Sequence, residues 1–201
     1  MSLWFEIRGA LRRRGEPTLL DEWPAVSIIV AAFNEAGVIE DCVRSIQLTS
    51  YDRYEVVLVD DGSTDTTAEL MRGLAGADLR IKVLGQAHAG TAAALNLGLR
   101  HAAGEVVMLV DAKGVLSRHT VKRMLQGFGD WRTGAVCGDR WPVKLDRLLT
   151  RKAALNIRAY RRSVLEDAGP FREDTADVRS DLTRRVRRAG YLVGSAPGHW
   201  D

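Results

Sequence analysis

The chain has 201 residues, 46% of them hydrophobic and 27% charged, which suffices for one sizeable core and is short for two complete domains. A formal net charge of +3 suits anionic ligands or membrane surfaces without requiring either, and no zinc-ligand spacing or aromatic-rich basic motif points to nucleic acid. Cys42 and Cys137 stand far apart and outside any Cys-x-x-Cys pair, which argues against a disulfide framework and makes a reducing cytoplasm the default compartment.

From the N-terminus, LWFEIRGALRRR at 3–14 reads as a short helix with Leu3, Ile7 and Leu11 on one face and arginines beyond. Such a leader either packs on its own domain or anchors peripherally at the inner face of a membrane. No segment approaches the ~20 apolar residues that span a bilayer, and the long apolar core of a signal peptide is missing. Gly15, Pro17 and Pro24 mark a linker, so 1–24 is set apart as leader and linker.

The run VSIIVAAF at 26–33 is rich in β-branched residues, and Val38, Ile39, Cys42, Val43 and Ile46 follow at helical spacing. That is strand then helix. The pattern recurs with EVVLVD at 55–60 before a helix from about 64, RIKVL at 80–84 before 91–102, and EVVMLV at 105–110 before 118–127. Near-continuous apolar strands alternating with helices predict an α/β fold whose mostly parallel central sheet is covered by helices on both faces. GAVCG at 134–138 adds a strand, and helical patterns rich in arginine dominate 139–190.

In open parallel sheets the ligand crevice lies at the carboxyl ends of the strands. Phe33-Asn34-Glu35 follows the first strand and DDGSTDTT at 60–67 the second. The latter is fully explained as an Asp-Gly turn with Ser63 or Thr64 capping a helix and Asp65 at its positive end. Gly90 and Thr91 open a helix after the third strand, where free N–H groups can receive a phosphate. The fourth strand ends in Asp111-Ala112-Lys113. A G-x-G-x-x-G fingerprint is missing from the first turn, which argues against a nicotinamide enzyme.

Taken together, VSIIVAAFNEAGVIEDCVRSI at 26–46, YEVVLVDDGSTDTT at 54–67, AALNLGL at 93–99 and GEVVMLVDA at 104–112 resemble the family 2 inverting glycosyltransferases of the GT-A fold. RRSVLEDAGPFREDT and DLTRRVRRAGYLV within 161–193 extend the likeness. The resemblance implies a single GT-A-like domain over 25–201, with a nucleotide-binding half at 25–136 and a shortened acceptor-side half at 137–201. It also implies a nucleotide-diphosphate sugar, most often UDP-linked, as donor, with Mg or Mn bridging the diphosphate. The acceptor would be a sugar or a lipid-linked group. By position, Ala31, Phe33 and Glu35 would border base and ribose, Asp61 would hydrogen-bond the base, and Asp111 would be the first D-x-D acid and the metal ligand, if any metal binds.

Three departures from the family pattern set this chain apart. Lys113 replaces the second D-x-D acid, Thr91 replaces a common lysine, and Val178 and Arg179 replace an acid pair, which puts Arg179 at the position of the general base. The 139–161 block is shorter than the acceptor-side region of the family, and the sequence stops at Asp201, ahead of the helices that usually follow. Exchanging a carboxylate for an ammonium repels a cation that requires oxygen ligands, so ordinary metal binding is not expected. Lys113 could instead neutralise a diphosphate as a point charge, or point into water. A guanidinium cannot accept the acceptor's proton. Asp177 or Asp181 could serve as a displaced base, although Asp181 also fits an N-cap or first-turn acid of DLTRRVRRAG, whose arginines read as a solvated face. His88 could touch phosphate or lie in solvent, and Trp141 and Trp200 could line a sugar site or pack in the core.

Two functions from different classes follow. One is a transferase that moves a sugar from a nucleotide-diphosphate donor to an acceptor hydroxyl with inversion. The other is a non-catalytic nucleotide-binding or interaction module of the same descent. A nucleotidyltransferase would carry a glycine-rich basic loop after its first strand, and AAFNEAG offers none.

Overall fold

The computed structural model describes residues 23–138, 157–175 and 177–196; the leader at 3–14, Trp141 and Trp200 lie outside the described residues. Strands β1 (Val26–Ala32), β2 (Tyr54–Asp60), β3 (Ile81–Gly85) and β4 (Val106–Asp111) alternate with helices α1 (Ile39–Gln47), α2 (Thr67–Ala77) and α3 (Thr91–His101). Helix α4 (Thr120–Gln126) follows, then β5 (Thr133–Gly138), β6 (Ile157–Arg161), α5 (Arg162–Ala168), α6 (Val178–Arg188) and β7 (Leu192–Ser195). The strands form one seven-stranded sheet in the order β3-β2-β1-β4-β6-β5-β7.

Alternation along β1 explains why helices cover both faces. Ile28 and Val30 point to a core shared with Ile39, Val43 and Ile46 of α1, Met71 of α2 and Val121 and Met124 of α4. Ile29 points the other way, toward Leu95 of α3, Val164 of α5 and Leu182 and Val186 of α6. Burial on both faces is what makes β1, β2 and β4 read as unbroken apolar runs.

The chain runs from β1 outward to β2 and β3, then crosses back to place β4 on the other side of β1, with every one of these pairs parallel. Strand order therefore reverses between β1 and β4, and a crevice opens at such a switch point outside the carboxyl ends. Register sets its walls, since Ala31 lies beside Val59 of β2 and beside Asp111 of β4.

Two strands fall where the sequence suggests helix or nothing. β6 lies antiparallel between β4 and β5, and β7 runs parallel to β5. In β6 the apolar Ile157, Ala159 and Tyr160 are fully buried, but arginines interleave them and hide the strand signal. Those arginines are not simply solvated: Arg161 donates to the carbonyls of Thr133 and Phe128, and neighbouring Arg162 to those of Gly104 and Ala102. In α6, Arg185 also turns inward, pairing with Asp181 at 2.9 Å and donating to the carbonyl of Pro170, so the face expected to be solvated is only partly so. Among the described residues no helix is long and apolar enough to cross a membrane.

Candidate functional site

A cavity of about 420 Å³ lies over the switch point. Ala31, Phe33 and Glu35 reach it from the end of β1, and Asp61 from the end of β2. Thr91 enters from the start of α3, Asp111 and Lys113 from the end of β4, and Arg179 from the first turn of α6. The structure thus gathers every residue singled out for nucleotide binding around one space.

The loops that carry them are tied together by polar side chains. Asn34, in the left-handed region at φ 55°, accepts from Thr64 N through its side chain at 2.8 Å, and its own N–H donates to Ser63 Oγ at 3.0 Å. Ser63 and Thr64 therefore serve the neighbouring loop rather than capping a helix, and α2 begins later, where Asp65 accepts from Thr67 N at 2.9 Å. Gly62 sits at φ +76°, and a Cβ there would come within 2.6 Å of His88 N, so only glycine lets the 86–90 loop close on this turn.

Asp61 is the most enclosed acid in the cavity, at 3% exposure. Its Oδ1 accepts from Gln86 Nε2 at 2.7 Å and Ala89 N at 3.0 Å, and its Oδ2 from Gly90 N at 2.9 Å. His88 Nδ1 stands 3.0 Å from the same Oδ2 and 3.1 Å from the Asp61 carbonyl. Both neighbours are acceptors, so the proton belongs on Nδ1. Desolvation by burial pushes the carboxyl up, but the bonds from Gln86, Ala89 and Gly90, with His88 beside them, outweigh it and hold the group below its ordinary value. With its lone pairs engaged, Asp61 accepts from an incoming base only if Gln86 or His88 withdraws. His88 also stacks on Phe33, ring centroids 4.0 Å apart and planes at 27°, and with its side chain 56% exposed it flanks the site while still facing solvent.

The remaining carboxylates face cations. Lys113 Nζ lies 3.0 Å from Glu35 Oε1, and Arg179 Nη1 lies 2.6 Å from Asp111 Oδ1. A magnesium or manganese ion needs several oxygen ligands, and among the described residues no group of three His, Cys, Asp or Glu side chains is placed to hold a metal. With Asp111 against a guanidinium and Glu35 against an ammonium, the residues present do not fit a divalent cation. Cys42 beneath the site is no nucleophile at neutral pH, because burial, with Asp111 nearby, pushes its thiol up to about 12.

Neither aspartate considered as a displaced base lines the cavity. Asp177 caps α6 by accepting from Ser180 N at 3.0 Å, and Asp181 in the first turn is held by Arg185 at 2.9 Å with Arg184 at 3.7 Å. Arg179 joins the cavity instead. Its sequence signal was its place at the position the resemblance gives to the general base, which named a position and no partner.

A mostly parallel, helix-covered sheet with this polar crevice defines the GT-A class of nucleotide-diphospho-sugar transferase folds. The chain belongs to glycosyl transferase family 2, whose profile matches residues 27–180. A poly-beta-1,6-N-acetyl-D-glucosamine synthase of Staphylococcus aureus (strain MSSA476) is 32% identical over 135 residues, covering 67% of this chain and 32% of that protein. A mannosyltransferase from Pyrobaculum calidifontis, solved in complex with GDP-Man and Mn2+, superposes with TM-score 0.78 and 27% identity over 97% of this chain and 62% of that one. TarS 1-349 of S. aureus in complex with UDP-GlcNAc shares the fold at TM-score 0.69 and 21% identity, covering 85% of this chain and 55% of that one. The chain spans about a third of the length of the curated relatives it matches.

Proposed function

We propose that the cavity binds the nucleotide-diphosphate part of a sugar donor, with UDP the first candidate and GDP the second. The observation that carries this reading is the convergence of Phe33, Glu35, Asp61, Thr91, Asp111 and Lys113, from separate strand ends and a helix start, on one space of about 420 Å³. That space is of the size small-molecule sites have. Phe33, 40% exposed, offers a face for a base, and Asp61 an acceptor for its N–H once Gln86 or His88 yields. The family membership supports the donor class, and the ligands named for the similar structures, UDP-GlcNAc and GDP-Man, supply the two bases to compare.

Transfer with inversion to an acceptor hydroxyl is the reaction such a donor site would serve. It requires a carboxylate within hydrogen-bond reach of that hydroxyl. Here Glu35 and Asp111 are ion-paired, Asp61 is saturated, and Arg179 stands at the position the resemblance gives to the base. That observation favours the second reading, a nucleotide-sugar-binding module whose transfer is absent or falls ~10²- to 10⁴-fold below that of an enzyme with its base.

Calorimetric titration with UDP, GDP and UDP-GlcNAc tests the donor site. One saturable site for a uridine or guanosine diphosphate is expected, and no heat with any of the three ends the reading. Release of UDP from UDP-GlcNAc at rates typical of enzymes would decide against the binding-module form.

A further inference from the structure

We propose that Arg179 is the resident cation of the cavity: its guanidinium stands against Asp111 where a metal ion would need oxygen ligands, and with Lys113 it receives a pyrophosphate group without metal. This rests on the reading of the cavity as a donor site and adds how the diphosphate is held.

Hydrogen bonds to the backbone of α6 position the Arg179 side chain. Asp177 caps α6, and the Arg179 carbonyl accepts from Thr183 Oγ1 at 2.8 Å and from the Tyr160 hydroxyl at 3.3 Å. These contacts fix the first turn of α6 against β6 and deliver the Arg179 side chain, 14% exposed, to Asp111 at 2.6 Å. A guanidinium stays charged at any accessible pH and carries five N–H donors in a rigid fork. Among the described residues only Nη1 has a partner, and Nε is buried without one. A buried donor left unmade is costly, and an anion in the cavity that Arg179 lines can engage the unused part of the fork.

Lys113 is the complementary arm. Among the described residues it is held only by Glu35, and it is 71% exposed, so its flexible stem can exchange that carboxylate for a phosphate at little cost. Thr91, which opens α3, lines the same cavity. Planar fork and point charge then divide the diphosphate between them, as the two cation types are suited to do.

The test uses the full chain and reads binding, not transfer. UDP, UMP and inorganic pyrophosphate are titrated by calorimetry in EDTA and in excess Mn2+, and free Mn2+ is followed by electron paramagnetic resonance. UDP should bind equally with and without Mn2+, and about tenfold more tightly than UMP, the worth of a charge-assisted contact. Arg179→Ala should remove about tenfold of UDP and pyrophosphate binding while leaving UMP nearly unchanged, and Arg179→Lys should recover part of it. The unaltered chain should leave the Mn2+ signal intact, whereas Lys113→Asp with Arg179→Asp should diminish it. If Arg179→Ala melts early, the Arg179→Lys comparison and the Mn2+ signal decide.

Binding of UDP that Mn2+ tightens tenfold or more, or an equal loss of UMP and UDP in Arg179→Ala, overturns the proposal and leaves the donor site standing. Binding of pyrophosphate without any nucleotide ends the donor-site reading, and with it the proposal that rests on it. Failure of nucleotide and pyrophosphate alike, with and without Mn2+, removes both.

Discussion

Asp61 shows what a single carboxylate does at two levels. Through Gln86, Ala89 and Gly90 it closes the 86–90 loop onto the Asp-Gly turn, and through Gly90 it fixes the start of α3, which carries Thr91. Asp61→Ala should weaken nucleotide binding by roughly 1–3 kcal/mol and also cost about 1.5–3 kcal/mol of stability, since buried amides lose a charged acceptor. Calorimetry and urea unfolding separate the two. The carboxyl is held below its ordinary value in the fold, so its contribution is complete above the unfolded value of about 4 and disappears as pH falls through the folded value. Urea midpoints between pH 6 and 2 should therefore fall more steeply for the unaltered chain than for Asp61→Asn. In the sequence, Asp61 is legible as a turn residue from DDGST, and as a base ligand only by resemblance. Its saturation by Gln86 and the 88–90 backbone depends on a loop that approaches from another strand end.

At the scale of elements, α3 shows why a helix keeps a glycine in its interior. A Cβ at Gly98 would stand 2.7 Å from Ile29 Cγ2 and 3.2 Å from Val59 Cγ2, so the sheet lies too close for a side chain. Glycine costs about 0.5–1 kcal/mol against alanine in a helix, and close packing on β1 and β2 offsets it. Gly98→Leu should destabilise the fold by about 1–3 kcal/mol through overpacking, read as a lower urea midpoint at unchanged slope. The cavity should suffer with it, because α3 carries Thr91 to the site at its other end. AALNLGL was recognisable as helix from its spacing, whereas the contact that demands glycine comes from strands elsewhere in the chain. β6 was hidden for the opposite reason: arginines interrupt its apolar pattern, and only its place between β4 and β5 buries Ile157, Ala159 and Tyr160.

For the whole molecule, the strand order β3-β2-β1-β4-β6-β5-β7 makes β1 and β4 central and leaves β3 and β7 with one partner each among the described residues. Amide hydrogen exchange should follow that order. Slowest exchange is expected in β1, β2 and β4, whose residues are almost all buried, and fastest strand exchange in β3 and β7, where Leu192 is half exposed. Peptide-resolved mass spectrometry checks this, and equal protection of β7 and β1 would contradict it. The same order backs the β1 and β4 sides of the cavity with strands paired on both edges. Its Arg179 wall hangs on α6, joined to the centre through Tyr160 and Thr183.

The sequence by itself determined the parallel core, because a strand buried on both faces must be apolar at every position and ends in a polar turn where the backbone leaves the sheet. It therefore also marked the residues after β1, β2 and β4 as the candidate site. Only the tertiary structure decided which charges meet. Arg179 against Asp111 and Lys113 against Glu35 join segments remote in the chain, and nothing in local spacing or helix propensity selects those partners. A side chain's charge is written in the sequence, but the energy of an ion pair depends on distance and burial, which exist only after the sheet has closed.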